Sequence, residues 1–244
     1  TEALGAYHNH LKSHFVSNLD KTPYLRKQTK INSVHASVAI ENNSLSLEQV
    51  KDIINGKLVI GKQKDIQEVK NAYKAYEMLK DINPYSIDDL KKVHGVMTFL
   101  VEKTAGEFRT MHEGVFDENG NCIFICPPGE KVNSLMEDLF KWLNENKDAI
   151  HPLILSSIFH YEFVFIHPFS DGNGRMARFW VNLILISYNE KFEFIPIDEE
   201  IYLNQGKYYE AIDKSHNNEN ANEFITFMLK SINLALDKII FERG

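Results

Sequence analysis

The fold is decided by residues 152–188, whose sequence is PLILSSIFHYEFVFIHPFSDGNGRMARFWVNLILISY. Two strongly apolar stretches, 152–166 and 179–186, flank a short polar loop that contains two glycines. Helices that are apolar on every side are typical of a protein core, so we expect buried helices over about 152–166 and 174–189. The loop between them would then be a rigid platform for its side chains.

The rest of the chain repeats apolar residues at helical spacing. It predicts further helices at about 5–19, 31–43, 45–54, 62–82, 86–100, 130–145, 204–215 and 222–241. Residues 113–128 differ, because two β-prone runs surround a turn that contains Asn119-Gly120, which favours a hairpin. The fold class is therefore predicted as mainly α, a helical bundle with one β-hairpin.

Composition limits the classes of partner. The 244 residues include 27 Lys and Arg against 34 Asp and Glu, a formal net charge of −7. Proteins that bind duplex phosphates usually carry the opposite balance, so we expect no nucleic-acid partner, although a pocket for one nucleotide needs only a few cations. No run of eighteen apolar residues occurs, so we expect no membrane span.

The N-terminal residues and the cysteines bear on localisation and redox state. The residues after Thr1 lack the charged and then apolar pattern of a signal segment, which favours a cytoplasmic protein. Cys122 and Cys126 are four residues apart on a predicted strand, about 13 Å at ~3.3 Å per residue. That distance is too long for a disulfide, so both are expected to be reduced thiols.

The glycines and arginines of the polar loop indicate an anion site. Gly172 and Gly174 let the backbone approach a ligand closely, and the free amides at the start of the next helix favour negative charge. Asn173 can donate to a phosphoryl oxygen. Arg175 and Arg178, three residues apart, can both face the same phosphate.

Two further side chains of the loop suggest chemistry at that anion. Asp171 is a hard carboxylate suited to Mg²⁺ that bridges phosphates. His167, with an ordinary pKa of ~6.5, can accept a proton near neutral pH. Phe169 is expected to point into the core and fix the loop. Together these residues predict metal-assisted attack of a hydroxyl group on a nucleotide phosphate.

Two other patterns have ordinary structural explanations. Residues 56–63, GKLVIGKQ, nearly form a phosphate-binding P-loop, but Gln63 stands where a Ser or Thr must bind magnesium, so a turn between helices is the better interpretation. His160 has no carboxylate partner at metal-site spacing. We interpret it as a core histidine or one that supports the site indirectly.

Residues 167–178, HPFSDGNGRMAR, fill every specified position of H-x-F-x-[D/E]-G-N-G-R-x-x-R and so resemble the signature of the Fic family. The resemblance implies a helical fold with a hairpin flap, and transfer of AMP from ATP to a Tyr, Ser or Thr hydroxyl of a target protein. It implies that His167 is the base, that Asp171 holds Mg²⁺, and that Gly172 to Gly174 with Asn173 form the anion hole. Arg175 and Arg178 would hold the β and γ phosphates.

A second segment, Ser37-Val-Ala-Ile-Glu41-Asn42, resembles the inhibitory motif of the same family, [S/T]-x-x-x-E-[G/N]. The resemblance implies that Glu41 pairs with Arg178 and so removes it from the γ-phosphate. One charge-assisted pair of ~2 kcal/mol would reduce the rate severalfold to tens of fold.

The resemblance also assigns roles to the hairpin and to two tyrosines. The hairpin at 114–126 would be the flap, whose residues Cys122, Ile123, Phe124 and Ile125 pair with the target backbone by strand addition. Tyr208 and Tyr209 lie where family members often place adenine-pocket residues, although tyrosines at helical spacing more often belong to the core. Residues 1–60 would be an N-terminal helical region with the inhibitory helix, and 61–244 the catalytic core with the C-terminal helices. The sequence leaves open whether the protein forms a homo-oligomer.

Two alternative functions are consistent with the same residues. One is a phosphodiesterase that removes AMP from a modified protein, with Glu41 positioning water. The other is a nucleotide-sensing interaction module without catalysis. The presence of His167 and Asp171 argues against the second, because nucleotide binding alone needs no base.

Overall fold

The structure, a computed structural model, describes residues 23–116 and 122–241. The described residues form ten α-helices and one two-stranded hairpin, in the order α1 (Pro23–Ile40), α2 (Leu47–Ile54), α3 (Gln63–Glu77), α4 (Ile87–Met97), β1 (Gly114–Phe116), β2 (Cys122–Ile125), α5 (Val132–Asn146), α6 (Pro152–Ile166), α7 (Asn173–Tyr188), α8 (Ile197–Leu203), α9 (Gln205–Asn217) and α10 (Asn222–Phe241). The prediction of a mainly helical fold with a hairpin is confirmed. The helix expected at 5–19 and the turn at 117–121 lie outside the described residues.

The helices differ from the sequence prediction mainly in three places. Helix α1 begins at Pro23 rather than near 31, because proline is favourable at the first helical position while the polar residues that follow it give no apolar pattern. Helix α3 ends at Glu77 instead of 82, because residues 78–81 form turns. Helix α8, seven residues long and preceded by Pro196, was not predicted at all.

Helices α6 and α7 form the centre of the molecule. The main apolar cluster includes Phe159 of α6 and Trp180 of α7, both fully buried, together with side chains of α1 to α5. A second cluster joins another side of α7 to α8, α9 and α10. Burying one such aromatic side chain contributes roughly 1.5–3 kcal/mol. The loop at 167–172 is therefore held at both ends by the most deeply buried helices.

The segment between α2 and α3 is a turn, as predicted. Helix α2 begins with a capping box in which Ser46 and Gln49 each accept a backbone N–H of the other, at 3.3 and 2.9 Å. Residues 55–62 then connect the two helices without a strand before them. A P-loop requires that strand, so the glycines at 56 and 61 belong to an ordinary connection.

The hairpin lies over the carboxyl end of α6. Val115 pairs with Phe124 in the antiparallel register, and the strands are irregular between Val115 and Phe116. The Phe124 ring packs 5.3 Å from Phe165 of α6 and 4.7 Å from His216 of α9, measured between ring centroids. Cys122 and Cys126 are free thiols.

None of the helices that the structure describes combines the length and the apolar character that a bilayer crossing requires.

Candidate active site

His167 ends helix α6 and starts the polar loop. It caps the helix in the left-handed conformation, φ 52° and ψ 60°, and its N–H donates to the carbonyl of Phe163 at 2.9 Å. Side chains other than glycine rarely adopt this conformation, and it is common at functional sites. Burial lowers the pKa of His167 below its ordinary value, so the imidazole is neutral and able to accept a proton at pH 7.

The side chain of Asn173 braces the loop from inside. Its Oδ1 accepts the N–H of Phe169 at 2.9 Å, and its Nδ2 donates to the carbonyl of the same residue at 2.6 Å. The Phe169 ring is fully buried, as predicted. The amide that the sequence suggested for a phosphoryl oxygen is thus already engaged in fixing the backbone of the loop.

His94 of α4 is a second brace, which the sequence analysis did not find. Its Nδ1 accepts the Gly106 N–H at 2.8 Å, so its Nε2 carries the proton and donates to the carbonyl of Asp171 at 2.9 Å. The ring stacks on Phe169 at 3.6 Å. The one available signal was its place on the apolar face of α4, between Leu90 and Met97, which is equally typical of a core histidine.

The buried state of His94 predicts a pH dependence of stability. Burial lowers the pKa of His94 to about 4, so between pH 6.5 and 4 the unfolded chain binds a proton that the folded chain does not. The unfolding free energy therefore falls with the pH, by up to ~1.4 kcal/mol per pH unit from this group. For His94→Gln we expect a less stable protein at pH 7, with a difference from the wild type that shrinks towards pH 5.

Urea unfolding followed by circular dichroism at pH 7, 6 and 5, without divalent metal in the buffer, measures that difference. The other buried histidines are common to both proteins, so their titration cancels in the comparison. A difference in unfolding free energy that is constant from pH 7 to pH 5 would contradict the neutral, buried state of His94.

Helix α7 begins in a conformation that brings its backbone next to a carboxylate. Gly172, at φ 82°, occupies the N-cap position. At Gly174 a Cβ atom would collide with Oε1 of Glu41 and approach Arg178 Nη1 to 3.1 Å. The Glu41 carboxylate thus lies on the first turn of α7, where the helix dipole and free N–H groups favour an anion.

Glu41 forms an ion pair with Arg178 in this position. Its Oε1 accepts from Arg178 Nη2 at 2.7 Å, and the same guanidinium donates to the carbonyl of Ser37 at 2.9 Å and to its hydroxyl at 3.3 Å. The Arg178 side chain is fully buried, and its Nη1 has no hydrogen-bond partner among the described residues. Burial would lower the pKa of Arg178, but Glu41 outweighs it and raises that pKa.

The segment that resembles an inhibitory motif thus places its three residues at one end of helix α1. Ser37 is in the last turn, and Glu41 and Asn42 follow the end of the helix, Asn42 in the left-handed conformation at φ 63°. The contact between Glu41 and Arg178 that the resemblance implied is present in the structure.

Arg175 points away from Arg178, contrary to the expectation that both face one anion. Its guanidinium pairs with Asp171 at 3.1 Å and with Glu68 of α3 at 3.6 Å. Residues three apart on a helix differ by about 60° in direction, and here α7 turns Arg175 towards α3 and Arg178 towards α1. Arg175 therefore orients the carboxylate of Asp171.

A cavity of about 520 Å³ lies between the ends of α1 and α6, the start of α7, the hairpin and helix α9. His167, Gly174 and Arg178 line it together, with Glu41 beside them; the hairpin and helix α9 complete the wall through Val115, Phe124, Gln205, Tyr208, Tyr209, Ile212, Asp213 and His216. The volume is in the range of ordinary ligand pockets. The sequence analysis missed Gln205, Asp213 and His216, since a helical pattern identifies a face but not what lies opposite.

Both tyrosines of α9 line this cavity but differ in environment. Tyr208 is 2% exposed and its hydroxyl bonds His160 Nε2 at 2.9 Å; burial raises its pKa. Tyr209 is 49% exposed and donates weakly to the carbonyl of Ile40 at 3.4 Å. His160 is fully buried beside Tyr208, a core position that supports the cavity wall.

Asp171 fits a magnesium ion that arrives with a nucleotide. Its Oδ1 accepts the N–H of Gly172 at 2.6 Å, and its side chain is 39% exposed. Within 23–116 and 122–241, no three acidic, histidine or cysteine side chains cluster as a resident metal site would need. Mg²⁺ is often held by one or two carboxylates together with substrate phosphates, and the single carboxylate here has that chemistry.

The strand residues assigned to target docking are partly accessible. Cys122 is exposed and Ile125 is 79% exposed, whereas Phe124 packs into the cavity wall. Strand β2 contributes the backbone of all four assigned residues, including Ile123.

Comparison with known proteins places the chain among similar sequences and folds. Residues 84–185 match the model of the Fic/DOC family. Protein adenylyltransferase fic-1 of Caenorhabditis briggsae is 30% identical over 226 residues, which cover 88% of this chain and 42% of that protein. Protein adenylyltransferase Fic of Nematostella vectensis is 27% identical, with coverages of 86% and 49%. The chain spans about two fifths to half the length of these relatives.

Two solved structures have the same architecture. A Fic family protein from Desulfovibrio desulfuricans G20 superposes with a TM-score of 0.91 and 36% identity, and covers 99% of this chain and 73% of that one. Fic-1 (residues 134–508) from C. elegans gives a TM-score of 0.79 and 26% identity, with coverages of 99% and 72%.

Proposed function

Because this chain belongs to the Fic/DOC family, we propose that it is a protein adenylyltransferase that transfers AMP from ATP to a hydroxyl side chain of a target protein and is inhibited by its own Glu41. One observation carries the proposal: His167, the first turn of α7 at Gly174, and Arg178 line a single cavity beneath the hairpin. A base, an anion site and a cation are thus together. The names of the adenylyltransferase relatives support the type of reaction.

The triphosphate of ATP fits the end of the cavity that Glu41 occupies. A phosphate there would meet the N-terminus of α7 and the unpartnered Nη1 of Arg178. Mg²⁺ held by Asp171 would neutralise charge on the phosphates. With Arg175 fixing the Asp171 carboxylate, the loop is organised before the nucleotide arrives.

The reaction then needs one proton acceptor. The hydroxyl oxygen of the target forms a bond to the α-phosphorus of ATP, the bond between that phosphorus and the β-phosphate oxygen breaks, and pyrophosphate leaves. His167 takes the hydroxyl proton on its neutral imidazole. The lowered pKa keeps His167 in the basic form at neutral pH.

The hairpin is the proposed docking element for the target. Strand addition to β2 would supply backbone hydrogen bonds without demanding a particular sequence, while the exposed Ile125 offers apolar contact. Because Val115 and Phe124 line the cavity, a segment bound there would lie beside His167.

Release of Glu41 tests this proposal. We expect Glu41→Gly, incubated with α-labelled ATP and Mg²⁺, to incorporate label into itself or a lysate target severalfold to tens of fold faster than the wild type. The reason is the loss of an ion pair of ~2 kcal/mol that competes with the phosphate. Glu48→Gly, in the exposed first turn of α2, is the matched control and is expected to behave like the wild type.

Equal labelling of wild type and Glu41→Gly would refute the inhibitory role, and absence of label in both would refute the transfer. The phosphodiesterase alternative makes the opposite prediction, since Glu41 also lines the cavity with His167. In that case Glu41→Gly would lose the ability to release AMP from a modified protein.

A further inference from the structure

Arg109 is a buried cation with an unusual set of partners. It lies between α4 and β1 and is 3% exposed. Among the described residues no Asp or Glu forms an ion pair with it. Its guanidinium instead donates to four backbone carbonyls, those of Met111 at 2.7 Å, Pro127 at 2.8 Å, Ile166 at 3.1 Å and His167 at 2.7 Å.

Two of these carbonyls belong to the end of α6. Ile166 is the last residue of the helix and His167 is its cap. Terminal helix carbonyls lack internal partners and carry the negative end of the helix dipole, which stabilises a buried cation. The backbone N–H of Arg109 also donates to Pro168 at 2.9 Å. Arg109 thus stabilises the left-handed backbone conformation of His167 and, with it, the position of the imidazole.

The other two carbonyls belong to the base of the hairpin. Met111 lies three residues before β1, and Pro127 lies two residues after β2. One planar guanidinium therefore connects both ends of the hairpin to the residue that carries the imidazole. Only Arg has the fork of donors that can span carbonyls in this way; the Lys ammonium acts as a single point.

We propose that Arg109 is a positioning residue that fixes the hairpin relative to His167, so that an acceptor held by the hairpin arrives at the imidazole. The inference rests on the proposed adenylyl transfer. A water molecule that attacks ATP does not have to dock on the hairpin. Loss of the hydrogen bonds of Arg109 should therefore slow AMP transfer to protein more than hydrolysis of ATP to AMP. Small errors in placement are sufficient for a large effect, since about 1 Å can cost ~10²-fold in rate.

The test uses Arg109→Lys and Arg109→Gln in the Glu41→Gly protein. With α-labelled ATP and Mg²⁺, label on protein and AMP released into water are measured in one assay. We expect the ratio of the two products to fall about tenfold or more in both variants, while the affinity for ATP stays within about twofold. Loss of folded protein cancels in this ratio, so a merely structural role would not change it.

Hydrogen exchange supplies a readout that is independent of activity. Amides of β1 and β2 are expected to exchange about tenfold faster in both variants, whereas amides of α5 are unchanged. The controls are Arg26→Lys, at an arginine of α1 that pairs with Glu193 away from the cavity, and Leu139→Ala, which weakens the core at α5. Both are expected to retain the product ratio.

Two results would refute the positioning role of Arg109. One is an unchanged product ratio together with unchanged hydrogen exchange in the hairpin. The other is an Arg109→Lys variant that retains both the product ratio and the hydrogen exchange of the parent. If the Glu41→Gly parent forms neither product, the proposed transfer fails, and hydrogen exchange alone then decides whether Arg109 fixes the hairpin to His167.

Discussion

The substitution His167→Ala in the Glu41→Gly protein is expected to reduce adenylyl transfer by about 10²–10⁴-fold, the usual contribution of a general base. His167 is neutral and lines the cavity beside Gly174 and Arg178. Removing the imidazole removes the proposed proton acceptor but none of the cations. We therefore expect ATP affinity, measured by isothermal titration calorimetry, to stay within about twofold.

The matched control is His35→Ala. His35 of α1 is half-buried, its pKa is also lowered by burial, and its ring faces Tyr202 of α8 rather than the cavity. Transfer by this control should equal that of the parent. If His167→Ala loses ATP binding and transfer together, His167 is a nucleotide contact and the assignment as base is wrong.

The second large effect is expected for Arg178→Gln. In the Glu41→Gly background, ATP affinity should fall about 10- to 150-fold, since a buried hydrogen bond to a charged group is worth ~1.5–3 kcal/mol. Arg26→Gln controls for the loss of an arginine elsewhere on the chain. Unchanged affinity and rate would refute the phosphate role of Arg178.

A double-mutant cycle separates phosphate binding from inhibition. In the wild-type background we expect Glu41→Gly to increase transfer, because the substitution releases Arg178. In an Arg178→Gln background the same substitution should give no increase, because Glu41 has no guanidinium left to occupy. An increase of equal size in both backgrounds would show that Glu41 inhibits through another contact.

Local patterns in the sequence predicted the central part of the fold well. Helix α6 was placed at its observed limits, because Pro152 marks its start and its apolar run ends at the polar loop. The loop residues could be recognised as a candidate anion site, because glycines, a carboxylate and two guanidinium groups occur within twelve consecutive positions. The start of α1 was misplaced, because its first turns, near Arg26 and Lys27, contain few apolar residues.

The side chains that organise the site were not predictable, because their partners are distant in the sequence. His94 contacts a loop 77 residues away, and Arg109 bonds carbonyls up to 58 residues away. Neither residue belongs to a pattern in the linear sequence that indicates these partners. The spacing of Arg175 and Arg178 predicts that they lie on neighbouring faces of one helix. It does not predict that Arg175 pairs with Glu68 of α3 and so points away from the cavity.

Helix α1 ends one residue before Glu41, the proposed inhibitory residue, and also forms part of the core. Its residues Ile31, Val34 and Val38 belong to the main apolar cluster, and Ile40 belongs to the second. Detaching the helix would therefore open both clusters at once, and no activating signal of a few kcal/mol could compensate for that. We therefore expect relief of the proposed inhibition to be a small local movement after Ile40. If Glu41 inhibits as proposed, the inhibitory residue cannot be separated from the core helix that precedes it, and we expect the switch to be a change in the direction of one side chain.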